Sequence, residues 1–131
     1  MLNTILAGFY ERDIRRLIEE VNLFSNEEDL WRTQGSVKNS GGNLVLHIIG
    51  GLNYLIGTTL AQTGYVRDRT LEFTQKGIPR KDLVTQLQQL IPMITGTLNA
   101  FTADRMEEMY PFMFDDLNVP NRVNYLRRVL E

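Results

Sequence analysis

His47 is the only histidine of the chain and lies inside the apolar segment Asn39-Ser-Gly-Gly-Asn-Leu-Val-Leu-His-Ile-Ile-Gly-Gly-Leu52. An imidazole in the middle of an apolar helix is either a core residue with a hydrogen-bond partner or one ligand of a metal. A transition-metal site built from side chains usually takes three or four N, S or O ligands, and this chain has no cysteine and no second histidine. Carboxylates could lend further ligands from Glu27-Glu28-Asp29, Glu107-Glu108 or Asp115-Asp116, although such runs also read as solvated faces or helix caps. A di-iron carboxylate site is excluded, because it needs Glu-x-x-His and the residue three before His47 is Leu44. Ser40-Gly41-Gly42-Asn43 opens a helix and so offers free N–H groups to an anion, but it lacks the Gly-Lys-Ser/Thr ending of a phosphate loop and reads first as a cap. Arg67-Asp68-Arg69 has two readings: a guanidinium anchor for an acidic substrate, or a structural unit in which Asp68 caps and the arginines pin the loop to helix ends. No serine or threonine has a base arranged for it in a nucleophile motif.

The elements that must position these residues are bounded by composition. With 131 residues, 43% hydrophobic and 23% charged, the chain makes one domain, 1–131, around a single core. Fourteen basic and sixteen acidic residues, net −2, give no basic footprint for a phosphate backbone, so no nucleic-acid partner is expected. The apolar run Leu44–Gly57 is interrupted by His47 and Asn53 and is shorter than the roughly 20 residues that cross a bilayer, so no membrane partner is expected either. The amino-terminal residues run straight into a charged helical pattern without a signal-peptide layout. With no cysteine, the expected location is a reducing, bacterial-type cytoplasm.

The periodicity is helical throughout. Ile5, Phe9, Ile14, Leu17, Val21 and Phe24 predict an amphipathic first helix ending near Phe24. Ser25-Asn-Glu-Glu28 reads as a capping box ahead of a short turn carrying Trp31. A second helix, capped by Asn39 or Ser40, is expected to run to Gly64 and to be buried on several sides. Its Gly50, Gly51 and Gly57 suggest close approach of another backbone. Tyr65–Phe73 reads as a long connection. Pro79 opens a third helix with the stripe Leu83, Leu87, Leu90, Ile94, Leu98 and Phe101, in which Pro92 should place a kink near Gln88. A turn from Thr102 to Met109 and a last helix from Pro120, with Val123, Leu126 and Val129 or Leu130 as its apolar face, complete an all-α chain.

Three segments in order, Asn39–Gly50 with His47, Gly64-Tyr-Val-Arg-Asp-Arg-Thr-Leu-Glu-Phe73 and Gly77-Ile-Pro-Arg-Lys-Asp-Leu83, resemble the DinB-like (YfiT-like) metalloenzyme superfamily, in particular an uncharacterised bacterial branch. The resemblance implies an up-down four-helix bundle with one long crossover. A histidine of the second helix, matched by His47, and two histidines of the fourth would there bind a divalent metal such as nickel, zinc or iron. This chain departs from the pattern where Phe114-Asp-Asp-Leu-Asn-Val-Pro120 is followed almost at once by Asn124-Tyr-Leu-Arg-Arg-Val-Leu130, as if the histidine-bearing front of the fourth helix were missing. Twelve residues from Pro120 to Glu131 span roughly 18 Å against roughly 30 Å for a full partner helix, so a bundle face is expected to lack its cover. Two functions follow. By resemblance, the protein is a divalent-metal-dependent transferase or hydrolase with His47 as a surviving ligand. The alternative is a metal-free helical domain acting by association, expected as a homodimer that shields the faces around His47, Leu55 and Ile94.

Overall fold

The structure, a computed structural model, describes residues 2–101. Over these residues the chain is all-helical, with α1 at Leu2–Leu23, α2 at Gly41–Leu52, α3 at Arg69–Thr74 and α4 at Arg80–Asn99, an arrangement compatible with a helical bundle. No helix among the described residues is long and apolar enough to cross a membrane. The short helices expected at 102–109 and from Pro120 lie outside the described residues.

Helices α1 and α4 form the core pair. On α4 the expected stripe is buried from Leu83 through Leu87, Leu90, Ile94 and Leu98 to Phe101, and the helix continues through Pro92. On α1 the buried face is set one residue away from the expected start, at Leu6, Ile14 and Val21 with Tyr10 and Leu17 beside them, while Ile5 and Phe9 are exposed. The reason is angular: five residues from Phe9 to Ile14 turn the helix by about 500°, which leaves Phe9 well off the face that Leu6, Tyr10 and Ile14 share at four-residue spacing. Phe9 instead lies under the Arg12 guanidinium, 5.0 Å from its ring centre.

Both ends of the antiparallel pair are tied. The Asn3 side chain donates to the carbonyls of Leu98 (2.9 Å) and Phe101 (2.6 Å) at the end of α4. At the opposite end the Arg80 guanidinium donates to the Phe24 carbonyl. Between these ends Ile94 is 0% exposed, in the middle of the core.

The connection after α1 is a short 3-10 helix, Glu27–Trp31, and its cap is Asn26 rather than Ser25: the Asn26 side chain accepts from the Glu28 N–H at 3.2 Å. No reciprocal bond from Glu28 forms, since its carboxylate leans toward Arg32. Trp31 then lies flat against α2 at Gly42, where a Cβ would come within 2.7 Å of the indole ring. Helix α2 ends at Leu52, well before Gly64. It passes into a π-helical turn, Asn53–Thr58, closed by bonds such as Thr59 N–H to the Tyr54 carbonyl at 3.1 Å. Gly64, at φ +81°, then reverses the chain into the extended run that leads to α3.

Candidate functional site

Three positions on one face of α2, Asn43, His47 and Gly50, are spaced four and three apart and meet the crossover at α3. Ser40 caps α2 by accepting from the Asn43 N–H, and its hydroxyl donates to Asn43 Oδ1 at 2.6 Å. That leaves the fully buried Asn43 amide group to donate to the carbonyls of Glu72 (3.0 Å) and Gln75 (2.8 Å), while Lys76 donates to its Oδ1. One side chain thus fixes the backbone of the segment that carries Glu72.

The anion-site reading of Ser40–Asn43 is answered by these bonds: the first turn of α2 is capped by its own serine and sewn to α3. Arg67-Asp68-Arg69 resolves in the same sense. Asp68 caps α3 by accepting from the Leu71 N–H at 3.0 Å, so the stretch expected as plain connection contains a helix. Arg67 holds Glu72 by two parallel bonds, Nε to Oε2 at 2.9 Å and Nη2 to Oε1 at 3.0 Å.

Glu72 is the residue the sequence did not single out, and it is 6% exposed. Its Oε1 also lies 3.1 Å from His47 Nδ1. Arg67 Nη2 comes within 3.3 Å of the same ring nitrogen, and a guanidinium only donates. An ionised carboxylate only accepts, so the tautomer that suits the closer contact carries its proton on Nδ1 and donates it to Glu72. Burial pushes the Glu72 carboxyl up, but the hydrogen bonds from Arg67 and His47 and the charge of Arg67 outweigh it and hold the group below its ordinary value. The same Glu72 bond raises the Arg67 guanidinium further. The imidazole also packs on Phe73, with ring centres 4.9 Å apart and planes tilted by 34°.

Gly50 is required by this cluster. A Cβ there would fall 1.9 Å from Glu72 Oε2, so what approaches the glycine is a carboxylate and not the backbone that the sequence suggested. At Gly51, by contrast, a Cβ would make only ordinary contact with Arg67 Nη2, at 3.7 Å. Gly57 admits Thr63 Oγ1, which a Cβ would meet at 3.1 Å.

His47 also lines an open groove of about 610 Å³ between α1 and α2. Both helices pack on α4, and between them they leave Tyr10, Ile14 and Leu17 facing Ile48, Leu52 and Leu55. Ile48 is 37% and Leu44, one turn before it, 46% exposed, so α2 is not enclosed all round as its composition suggested. Asp13, Arg16 and Glu20 form the polar edge on α1. Burial pushes the Tyr10 hydroxyl up to about 12, and it stays protonated at neutral pH.

As a metal site the cluster fits in one respect. A ligating histidine commonly gives its second ring N–H to a carboxylate, as His47 does to Glu72, which leaves Nε2 as the donor. The rest of the donor set does not fit. Both Glu72 oxygens are already engaged by Arg67 and His47, and among the described residues no three His, Cys, Asp or Glu side chains are grouped to hold an ion. The carboxylate pairs at 107–108 and 115–116 lie outside the described residues, and Glu28 and Asp29 are used in surface pairs with Arg32. No protein-family model, no curated protein and no solved structure matches this chain.

Proposed function

We propose that this chain is a DinB-like helical bundle acting as a metal-free association domain, with the α1–α2 groove as its interface and a second copy of the chain as its partner. The observation that supports this is the groove itself. Apolar side chains from α1 and α2 line it, and Ile48 at its α2 wall is 37% exposed. Contiguous exposed apolar surface of this kind marks an interface, and a two-fold contact covers both copies' grooves with the same residues. His47, hydrogen-bonded to Glu72 and packed on Phe73, serves here as part of the groove wall. Replacing Ile48 by Glu puts a charge into that interface and is expected to convert dimer to monomer at micromolar concentration. Far-ultraviolet circular dichroism should stay unchanged, because Ile48 contributes to no enclosed part of the core. A dimer that survives Ile48→Glu would overturn the assignment of the groove as interface.

A second reading, a divalent-metal-dependent transferase or hydrolase, is favoured by one observation, the Glu72-bound orientation of His47. With one imidazole as the strong donor, a monomer is expected to retain far less than one equivalent of nickel or zinc after dialysis. His47→Ala is then expected to change stability and leave metal content where it was. A stoichiometric metal lost on that substitution would reverse the order of the two readings.

A further inference from the structure

We propose that His47 and Glu72 form a general-base pair whose reactive atom, His47 Nε2, serves the hydrolysis of neutral esters with an apolar acyl chain seated in the α1–α2 groove; this goes beyond the association reading and does not rest on it. Three observations carry it. The carboxylate beside the ring is 6% exposed and fixed by two parallel bonds from Arg67, so it holds a set position 3.1 Å from Nδ1. With Nδ1 turned to Glu72, Nε2 is left without a partner among the described residues, and the ring is one of the side chains that line the groove. The side chain is 36% exposed, so a molecule in the groove can reach it. A histidine whose other nitrogen is held by a buried carboxylate is the arrangement that general-base catalysis uses: the carboxylate sets the tautomer and stabilises the imidazolium that forms.

The substrate class follows from the walls. Ile14, Leu17, Ile48 and Leu52 offer apolar surface, and the charged side chains at the α1 edge are of both signs, Asp13 and Glu20 beside Arg16, so the edge selects neither an anion nor a cation. In the reaction, Nε2 takes a proton from a water as the water oxygen bonds to the ester carbonyl carbon. The tetrahedral intermediate then expels the alcohol oxygen, which takes that proton back from Nε2. Ester and water become acid and alcohol, and the imidazole returns unchanged. Glu72 touches no substrate and is a positioning residue. Arg67 Nη2, 3.3 Å from Nδ1, competes for the same ring nitrogen; were it the donor there, the ring proton would sit on Nε2 and the groove would face no base.

The single histidine makes the test direct. The full chain, dilute enough that a second copy does not compete for the groove, is given p-nitrophenyl butyrate at neutral pH. The expected rate is at least about tenfold above that of free imidazole at the same concentration, saturates with substrate, and falls to background in His47→Gln. Nitrogen chemical shifts of the one imidazole in the native protein should place its proton on Nδ1. Glu72→Gln, whose amide can donate to Nδ1, should move the proton to Nε2 and lower the rate, a change of tautomer that a merely structural role for Glu72 does not require. Ile48→Trp should obstruct the groove and lower the rate while leaving the ring nitrogen shifts in place. A rate no higher than that of free imidazole, a rate that survives His47→Gln, or a native ring with its proton on Nε2 overturns the proposal. A rate that Ile48→Trp leaves untouched overturns the groove as the seat of the substrate. Sedimentation judges the association reading separately, and neither of its outcomes alters these results.

Discussion

Glu72→Ala is expected to destabilise the protein by about 3 kcal/mol. That is the lower end of the roughly 3–5 kcal/mol seen when one partner of a buried ion pair is removed, because Arg67 keeps 19% of its side chain in water. The loss has two parts. Arg67 is left with its charge and no acceptor, and His47 Nδ1–H loses the carboxylate that fixes its tautomer. Glu72→Leu combined with Arg67→Met removes both charges together and should recover most of the loss, a coupling that urea titration of the two single variants and the double variant measures. The pH dependence has a definite sign. Glu72 titrates below its ordinary 4.5 in the folded protein, so its contribution is complete above that value and disappears as pH falls through the lower, folded one. Glu72→Gln should therefore flatten the acid limb of the stability profile, and an unchanged limb would show that the carboxylate is not held as described.

Gly50→Ala is the second large effect, and its sign is opposite to the usual one. In an exposed helix interior, alanine for glycine stabilises by about 1 kcal/mol. Here the new methyl group occupies the place of Glu72 Oε2, and the carboxylate cannot swing aside without leaving Arg67 and His47. The substitution should cost about 2–3 kcal/mol, the loss of the buried pair less the gain in helix propensity. Gly8→Ala is the control, since a Cβ there meets nothing within 4 Å and lies in the middle of α1. If Gly50→Ala and Gly8→Ala stabilise alike, the approach of Glu72 to α2 is wrong.

How far the sequence was legible follows the range of the physics. The stripe of α4, the Ser40 cap and the end of α1 depend on neighbours within a turn or two, and they stand as expected. The burial of Asn43 and the pairing of His47 do not, because their partners are 25 to 32 residues away in a crossover that reads as loop. Two signals pointed there without being combined. Asp68 stands three residues before Leu71, the spacing of a cap, and the acidic residue between Leu71 and Phe73 interrupts an apolar pair where a solvated face would not need one. The glycine at position 50, seven residues beyond Asn43 and three beyond His47, marked the same face of α2 as the one that something approaches, although its identity as a carboxylate was not readable. The resemblance placed His47 on the second helix, where α2 has it, and the DinB-like assignment itself stands as a proposal.

The groove between α1 and α2 is the feature from which the account draws its function, and the mass of the unmodified protein in solution tests it most directly. Sedimentation equilibrium across the micromolar range, with an apolar dye as a second readout, should give twice the 15.1 kDa of one chain and little dye binding. A compact species of 15.1 kDa at every concentration, with no apolar surface open to the dye, would contradict the account, because the groove would then be closed without a second copy.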